Sequence, residues 1–355
     1  MRWPFDRLLA SGAVIAGVAT TGSVHAQTGA EFYKGRTVTI VISTGPAGAY
    51  DLSARTIGRH LPRYLPGGPA IVVRSMPGGG HTLATNYMAN QAPRDGTTLA
   101  LVSNTIPLHQ ALDGRGVRYD ARTFNWLGTL GISSLVTWAW HGSGVTSIAD
   151  AFTRDIITGA TGAGSGTWLY PNAMNLVLGA RFKIVTGYPN TAEVDLAMLR
   201  GEVMARSGAS YIGYVMEHAD WLREGKVRPL VQVGAAREKE LAQVPLMHEL
   251  ARTDEQRRLL QLVSSPVKMG RPLFAPPEVP AERVALLRRA FDALMQDREF
   301  LAEAQSLSLE VVPQSGERVA EIVAETIDAP PALLAKARLL ITTEESSAGP
   351  DKKRN

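Results

Sequence analysis

At 355 residues, with 45% hydrophobic and 20% charged side chains, the chain has a globular composition and is too long for one small core, so two lobes are expected. The 37 basic and 33 acidic residues leave a net charge of +4, with the basic side chains scattered and no aromatic interleaving, which argues against a nucleic-acid surface. The absence of cysteine removes disulfides, thiolate metal sites and cysteine nucleophiles.

Residues 1–26 read as a secretory signal peptide: Arg2 and Arg7 form a basic start, Leu8 to Val18 an apolar stretch, and Val24-His25-Ala26 a small-residue cleavage site. No later segment approaches the roughly 18–20 apolar residues of a spanning helix, so the mature chain is expected to be exported to the periplasm without spanning the membrane.

Thr37 to Tyr64 is the stretch around which the rest is arranged. The β-branched run Val38, Ile40, Val41, Ile42 reads as a buried strand and empties into the small residues Thr44 to Ala49, after which helical spacing begins at Ala54, Ile57 and Leu61. Bare amides at a helix N-terminus favour an anion, although an ordinary strand-to-helix turn has the same pattern. Asp51 is the expected N-cap, leaving the amides of Ala47, Gly48, Ala49 and Tyr50 for a ligand.

Farther along, Ala70 to Arg74 is a second strand, and Pro77-Gly78-Gly79-Gly80 enters a helix carrying Leu83, Ala84, Tyr87 and Met88 on one face. Thr98 to Val102 is a third strand whose end presents Ser103, Asn104 and Thr105. After an extended crossing near Leu127 to Trp140, the alternation resumes. Asp155 to Thr158 is a strand, and Gly159 to Thr167 leads into a helix. Phe182 to Val185 is the next strand, and Asn190 with Glu193 resembles a capping box. Val203 to Arg206 is a strand, Ser207 to Ser210 a polar loop, Tyr211 to Arg223 a helix, and Pro229 to Val233 leads back toward the first lobe. Glu282 to Met295, Arg298 to Ser306 and Arg318 to Ile327 are helical, Leu309 to Val312 is strand-like, and 344–355 is a polar, disordered tail. Strands alternating with helices imply mostly parallel sheets, with ligands beyond the carboxyl ends of the strands.

Enzymatic and cofactor motifs fail on inspection. Gly208-Ala209-Ser210-Tyr211-Ile212 has Ile212 where a nucleophile elbow needs glycine. The glycine-rich 162–167 segment lacks the lysine of a phosphate loop, and Thr167 stands where a dinucleotide fingerprint needs glycine. Histidines 25, 60, 81, 109, 141, 218 and 248 offer no helical zinc pair, so no metal or cofactor is expected. His81 and Trp168 adjoin glycine-rich loops and read either as cleft residues or as a capping and a packing residue.

The order GPAGAYDLSAR, MPGGGHTLATNYM, PRDGTTLALVSN, GAGSGT, GYPNTAEVDLAMLRGEV and VPAERVALLRRAFDALMQD resembles the extracytoplasmic solute receptors of the tripartite tricarboxylate transporter family, the Bug proteins. The resemblance implies an α/β fold of the two-lobed, type II-like periplasmic binding protein kind, each lobe a mostly parallel sheet flanked by helices. Lobe one would be 27–128 with 236–343, and lobe two 129–235, closing about crossings near Trp126 to Leu135 and Leu230 to Ala236. It also implies that a small organic acid (di- or tricarboxylate, or aromatic) is held between the lobes by amides and hydroxyls and passed to integral-membrane permease subunits. By position the holding loops are Pro46 to Asp51 and Ser165, Gly166 and Thr167, with Ser103 and Asn104. Tyr188, Pro189, Asn190 and Ser207 to Ser210 complete the wall. Two departures stand out: Gly48-Ala49-Tyr50 where many members carry a glycine run, and Ala205-Arg206-Ser207 where an aspartate often follows the strand. The alternatives are the same architecture serving a sensor or a biosynthetic enzyme, or a secreted α/β hydrolase.

Overall fold

The run TVTIVI forms β1 (Thr37–Ile42), whose β-branched residues stiffen an extended backbone and bury Val38, Ile40, Val41 and Ile42 completely. The computed structural model describes residues 32–342 except 113, 115, 132, 133, 164 and 235, so the expected signal peptide and tail lie outside the described residues. β1 pairs in parallel with β2 (Ala70–Ser75) and β3 (Thr98–Leu101). Beyond β3, β10 (Pro272–Ala275) runs antiparallel to both β3 and β4 (Asn125–Thr129), and β11 (Gln314–Ser315) closes the edge, giving the order β11-β4-β10-β3-β1-β2. Phe124, Trp126 and Phe274 lock this end, with ring centroids 4.5 Å (Phe124–Phe274) and 4.9 Å (Trp126–Phe274) apart. Each such pair adds about 0.5–1.5 kcal/mol beyond simple burial.

The second sheet has the order β7-β6-β8-β5-β9, from β5 (Leu135–Trp140), β6 (Ile156–Ala160), β7 (Phe182–Thr186), β8 (Ala205–Ser210) and β9 (Val227–Val233). β6 is parallel to β7 and β8, while β5 is antiparallel to β8 and β9. Both sheets are thus mixed, built around parallel βα units, and the expected two-lobed α/β architecture holds.

Several expected elements differ. Ser207 to Ser210 is not a loop but the second half of β8. Leu309 to Val312 forms no strand: Val312 donates to the Leu130 carbonyl at 2.6 Å, Pro313 cannot donate to a ladder, and pairing starts only at Gln314. The Tyr211 to Arg223 helix is two helices, Tyr211–Glu217 and Ala219–Arg223, broken at His218.

The return to the first sheet also differs from a crossing at Leu230 to Ala236. Gln232 bridges to Leu246, and the amphipathic Asp254–Ser264 helix buries Leu260 and Val263 in the core cluster that holds Trp168 and Met174 of the second sheet's flanking helices. The Pro331–Thr342 helix adds Leu334 and Ala337 to the same cluster. Not all of 236–343 therefore packs with the first lobe. The chain comes back to β10 through Met269-Gly270-Arg271, beside the outgoing segment: Thr129 Oγ1 donates to the Met269 carbonyl at 2.5 Å and Leu130 to that of Arg271 at 3.3 Å. A side chain at Gly270 would lie 2.4 Å from the Gly131 Cα, so glycines permit this contact.

Candidate functional site

After β1 the chain turns through Thr44 to Gly48 into the Ala49–His60 helix, whose N-cap is Gly48 and not Asp51. Asp51 is the third helical residue, 5% exposed, and its carboxylate faces back under the loop. It accepts the Ala47 N–H at 3.0 Å and Arg55 Nε at 2.9 and 3.0 Å, so the Ala47 amide is consumed internally. Holding Ala47 at a φ of 66° is the backbone consequence. The first-turn amides of Ala49 and Tyr50, which have no partner within a helix, remain at the cleft.

From the second sheet, β6 ends at Ala160 and the Gly166–Ala173 helix begins after Ser165. Ser165 Oγ donates to the Gly162 carbonyl at 2.6 Å, and Thr167 Oγ1 accepts the Thr161 N–H at 3.0 Å, so both hydroxyls also hold the loop's shape. β8 runs against this helix start. Gly208 has a φ of 71°, and a Cβ there would lie 3.1 Å from the Gly166 carbonyl carbon and 3.2 Å from the Thr167 nitrogen. Asn190 caps the Thr191–Leu199 helix, accepting the Glu193 N–H at 3.0 Å, as the sequence indicates.

These starts converge on one cleft of about 750 Å³, its open mouth included. Of the sequence-derived candidates, Gly48, Ala49, Tyr50, Ser103, Asn104, Ser165, Gly166, Thr167, Asn190 and Ser210 line it. Pro46, Ala47, Asp51, Tyr188 and Ser207 do not. Pro46 offers its carbonyl to Asn190, Ala47 faces an adjoining chamber, and Tyr188 packs on the second sheet's core. Ser207 is excluded by strand geometry. Alternation along β8 turns Arg206, Gly208 and Ser210 to the cleft, while the fully buried Ser207 hydroxyl meets Thr137 Oγ1 at 2.9 Å.

The cleft is less neutral than its loops suggest. Arg206 lines it but is buried against Asp195 and lies 5.3 Å from the centre of the Tyr214 ring. His81, at a φ of 80°, lines it with Nδ1 3.0 Å from Ser43 Oγ; burial pulls its pKa down to about 4. The Ser103 side chain and the Asn104 backbone stand near the Tyr50 hydroxyl and favour its charged form. Burial pushes that hydroxyl's pKa up, opposed first by the Arg271 guanidinium. Tyr170, fully buried behind Tyr50, has a hydroxyl without a hydrogen-bond partner among the described residues. Arg271 itself was missed by sequence reasoning. It follows a glycine in an unassigned stretch, and only the crossing geometry brings it to the cleft.

Among the described residues, two clusters could offer three metal-ligand atoms, His60–Asp297–Glu299 and Asp195–Glu217–His218. Arg63 and Arg206 already neutralise a carboxylate in each, which argues against a cation at either. No described helix is long and apolar enough to cross a membrane.

Comparison with known proteins places the chain in a family and a fold. The family model described as "Tripartite tricarboxylate transporter family receptor" matches residues 54–339. A Cupriavidus necator protein, "UPF0065 protein in gbd 5'region", is 23% identical over 347 residues, covering 93% of this chain and 97% of its own. MatC from Rhodopseudomonas palustris with bound malate superposes with a TM-score of 0.65 at 22% identity, over 85% of this chain and 99% of its own. The R. palustris protein Rpa4515 with adipate gives 0.65 at 22% identity, over 86% and 97%. With two mixed sheets, a cleft framed by helix starts and a family match over most of its length, the chain belongs to the receptor family of the tripartite tricarboxylate transporters, the periplasmic solute-binding receptors known as Bug proteins.

Proposed function

We propose that this receptor captures a small organic carboxylate in the cleft and delivers it to the permease subunits of a tripartite tricarboxylate-type transporter, working in the periplasm after removal of 1–26. The observation that carries this is the convergence of two helix N-termini, at Ala49 and Gly166, on one cleft. Unpaired first-turn amides and the helix dipole favour an anion there without a dedicated counter-charge, and contacts of that kind release as readily as they form. Malate and adipate in two structural relatives are carboxylates of suitable size. We assign the flexing points to Leu130-Gly131 and Gly270-Arg271, where the crossing segments run side by side.

A thermal-shift screen of organic acids on the mature domain tests this. At 100 times its dissociation constant, a bound acid adds about 2.7 kcal/mol of stability. No stabilisation by any di- or tricarboxylate or aromatic acid rejects the assignment. Turnover of chromogenic esters would point instead to a hydrolase; a receptor binds without turnover.

A further inference from the structure

Arg271 has more of its charge left over than any role in the fold accounts for. It is 9% exposed, at the point where the chain returns from the second sheet to the first. Its main chain is engaged, the carbonyl accepting the Leu130 N–H at 3.3 Å. Its side chain is not: Nη1 is buried with no hydrogen-bond partner among the described residues. Arg206, the other arginine of the cleft, differs in kind because Asp195 holds it.

Arg271 borders two spaces, although its Nη1 is itself buried. The cleft and an adjoining chamber share Gly48, Ala49, Thr191, Arg206, Ser210 and Arg271, so both arginines stand at the neck between them, and only Arg206 has a carboxylate partner there. Glu310 and Glu217 are close enough to act on it electrostatically, as are Tyr50 and Arg206. Glu310 accepts the Ser210 hydroxyl at 2.5 Å, and neither carboxylate fills the Nη1 position. A buried cationic donor without a partner is costly, and an anionic ligand group removes that cost through a charge-assisted hydrogen bond.

We propose that Arg271 reads the charge of the ligand: one carboxylate sits on the amides at Ala49 and Gly166, and a second anionic group at the far end of the same molecule pairs with Arg271 Nη1. This rests on the carboxylate-receptor assignment above and narrows it to ligands with two separated anionic groups, naming the residue that enforces the choice. A neutral far end would leave the guanidinium as unpaired as it is in the empty cleft, so a monocarboxylate forgoes the gain that a dicarboxylate makes.

Titration calorimetry of the full mature chain with succinate, glutarate and adipate against butanoate, pentanoate and hexanoate tests the assignment. The wild type should prefer the dicarboxylate of its best pair by on the order of 10- to 100-fold, the range of one hydrogen bond to a charged group. R271Q should bring that ratio near unity, chiefly by lowering dicarboxylate affinity, and R271K, with charge but no fork, should fall between. A ratio that survives in R271Q, or a wild type that binds both members of each pair equally, removes Arg271 from charge reading and leaves the carboxylate assignment standing. A wild type that binds none of the six acids overturns the reading of linear dicarboxylates by Arg271, and the thermal-shift screen then decides the carboxylate assignment separately. If R271Q does not fold, R271K decides, because an unchanged ratio there denies the fork any role.

Discussion

Asn190 Nδ2 donates to the Pro46 carbonyl at 2.8 Å, tying the loop after β7 to the loop after β1 across the mouth of the cleft. Beside it, the Gly45 N–H donates to the Pro189 carbonyl at 3.3 Å, and Gly48 leaves room for Asn190, since a Cβ there would lie 3.0 Å from the Asn190 Cβ. Asn190 therefore does two things with two atoms: Oδ1 caps a helix and Nδ2 holds the lobes together. Asn190→Ser keeps a capping oxygen but cannot reach Pro46. Its stability should change by only a few tenths of a kcal/mol, as expected between good N-caps. Ligand dissociation, followed by stopped-flow fluorescence, should accelerate several-fold, in line with the loss of one hydrogen bond of about 1 kcal/mol. An unchanged off-rate would show that the contact does not hold the closed form.

Gly208 is where the strand-to-helix contact is tightest. Alanine there would occupy the left-handed region, costing about 1–2 kcal/mol, and its methyl would press on the backbone of Gly166 and Thr167. Gly208→Ala should therefore lose stability by that amount and also weaken carboxylate binding at least tenfold, because the displaced atoms carry the anion-facing amides. Urea denaturation and calorimetry measure the two losses separately. A stability loss with intact affinity would place the anion elsewhere.

The βα alternation was legible because β-branched runs and small-residue turns are local signals, and they located β1, β2, β3, β6 and β7 within a residue or two. Three features were not. The capping role given to Asp51 failed because backbone direction, not residue type, put Gly48 at the cap and sent the carboxylate back to Ala47. Ser207 and Ser210 look equivalent in sequence, and only the pleat of β8 separates them into a sheet-interior hydroxyl and a cleft hydroxyl. Arg271 comes to the cleft through pairing between segments about 140 residues apart, Thr129 with Met269, which no local pattern encodes.

Asp195 and Arg206 form a buried pair, their side chains 5% and 7% exposed, with Asp195 Oδ1 and Arg206 Nε left without hydrogen bonds among the described residues. Removing one partner strands the other charge, so Asp195→Ala should cost about 3–5 kcal/mol in urea denaturation. The double replacement Asp195→Leu with Arg206→Met should cost less than that, since neither charge then remains buried. In the single variant Arg206 faces the cleft without its counter-ion, and affinity for carboxylates at low salt should rise even as stability falls. A double replacement that costs as much as Asp195→Ala would mean that the stranded charge is not the source of the loss.

His81 gives the fold a pH dependence whose sign follows from its burial. Its pKa is lowered from 6.5 to about 4, chiefly by burial, with the Ser43 carbonyl raising it and His109 lowering it further. Between those two values the unfolded chain takes up a proton that the folded chain refuses, so stability falls as pH drops below 6.5 and stops falling near 4. From pH 7 to 4.5 this amounts to on the order of 2 kcal/mol. Asn tolerates the left-handed backbone of this position and does not titrate, so His81→Asn should flatten this part of the profile. His109, also lowered by burial, remains in both proteins, so its titration enters both profiles. Urea midpoints of wild type and variant at pH 7 and 4.5 measure the difference. A gap between the two proteins that stays constant over that range would mean that His81 titrates in the folded chain as it does in the unfolded one.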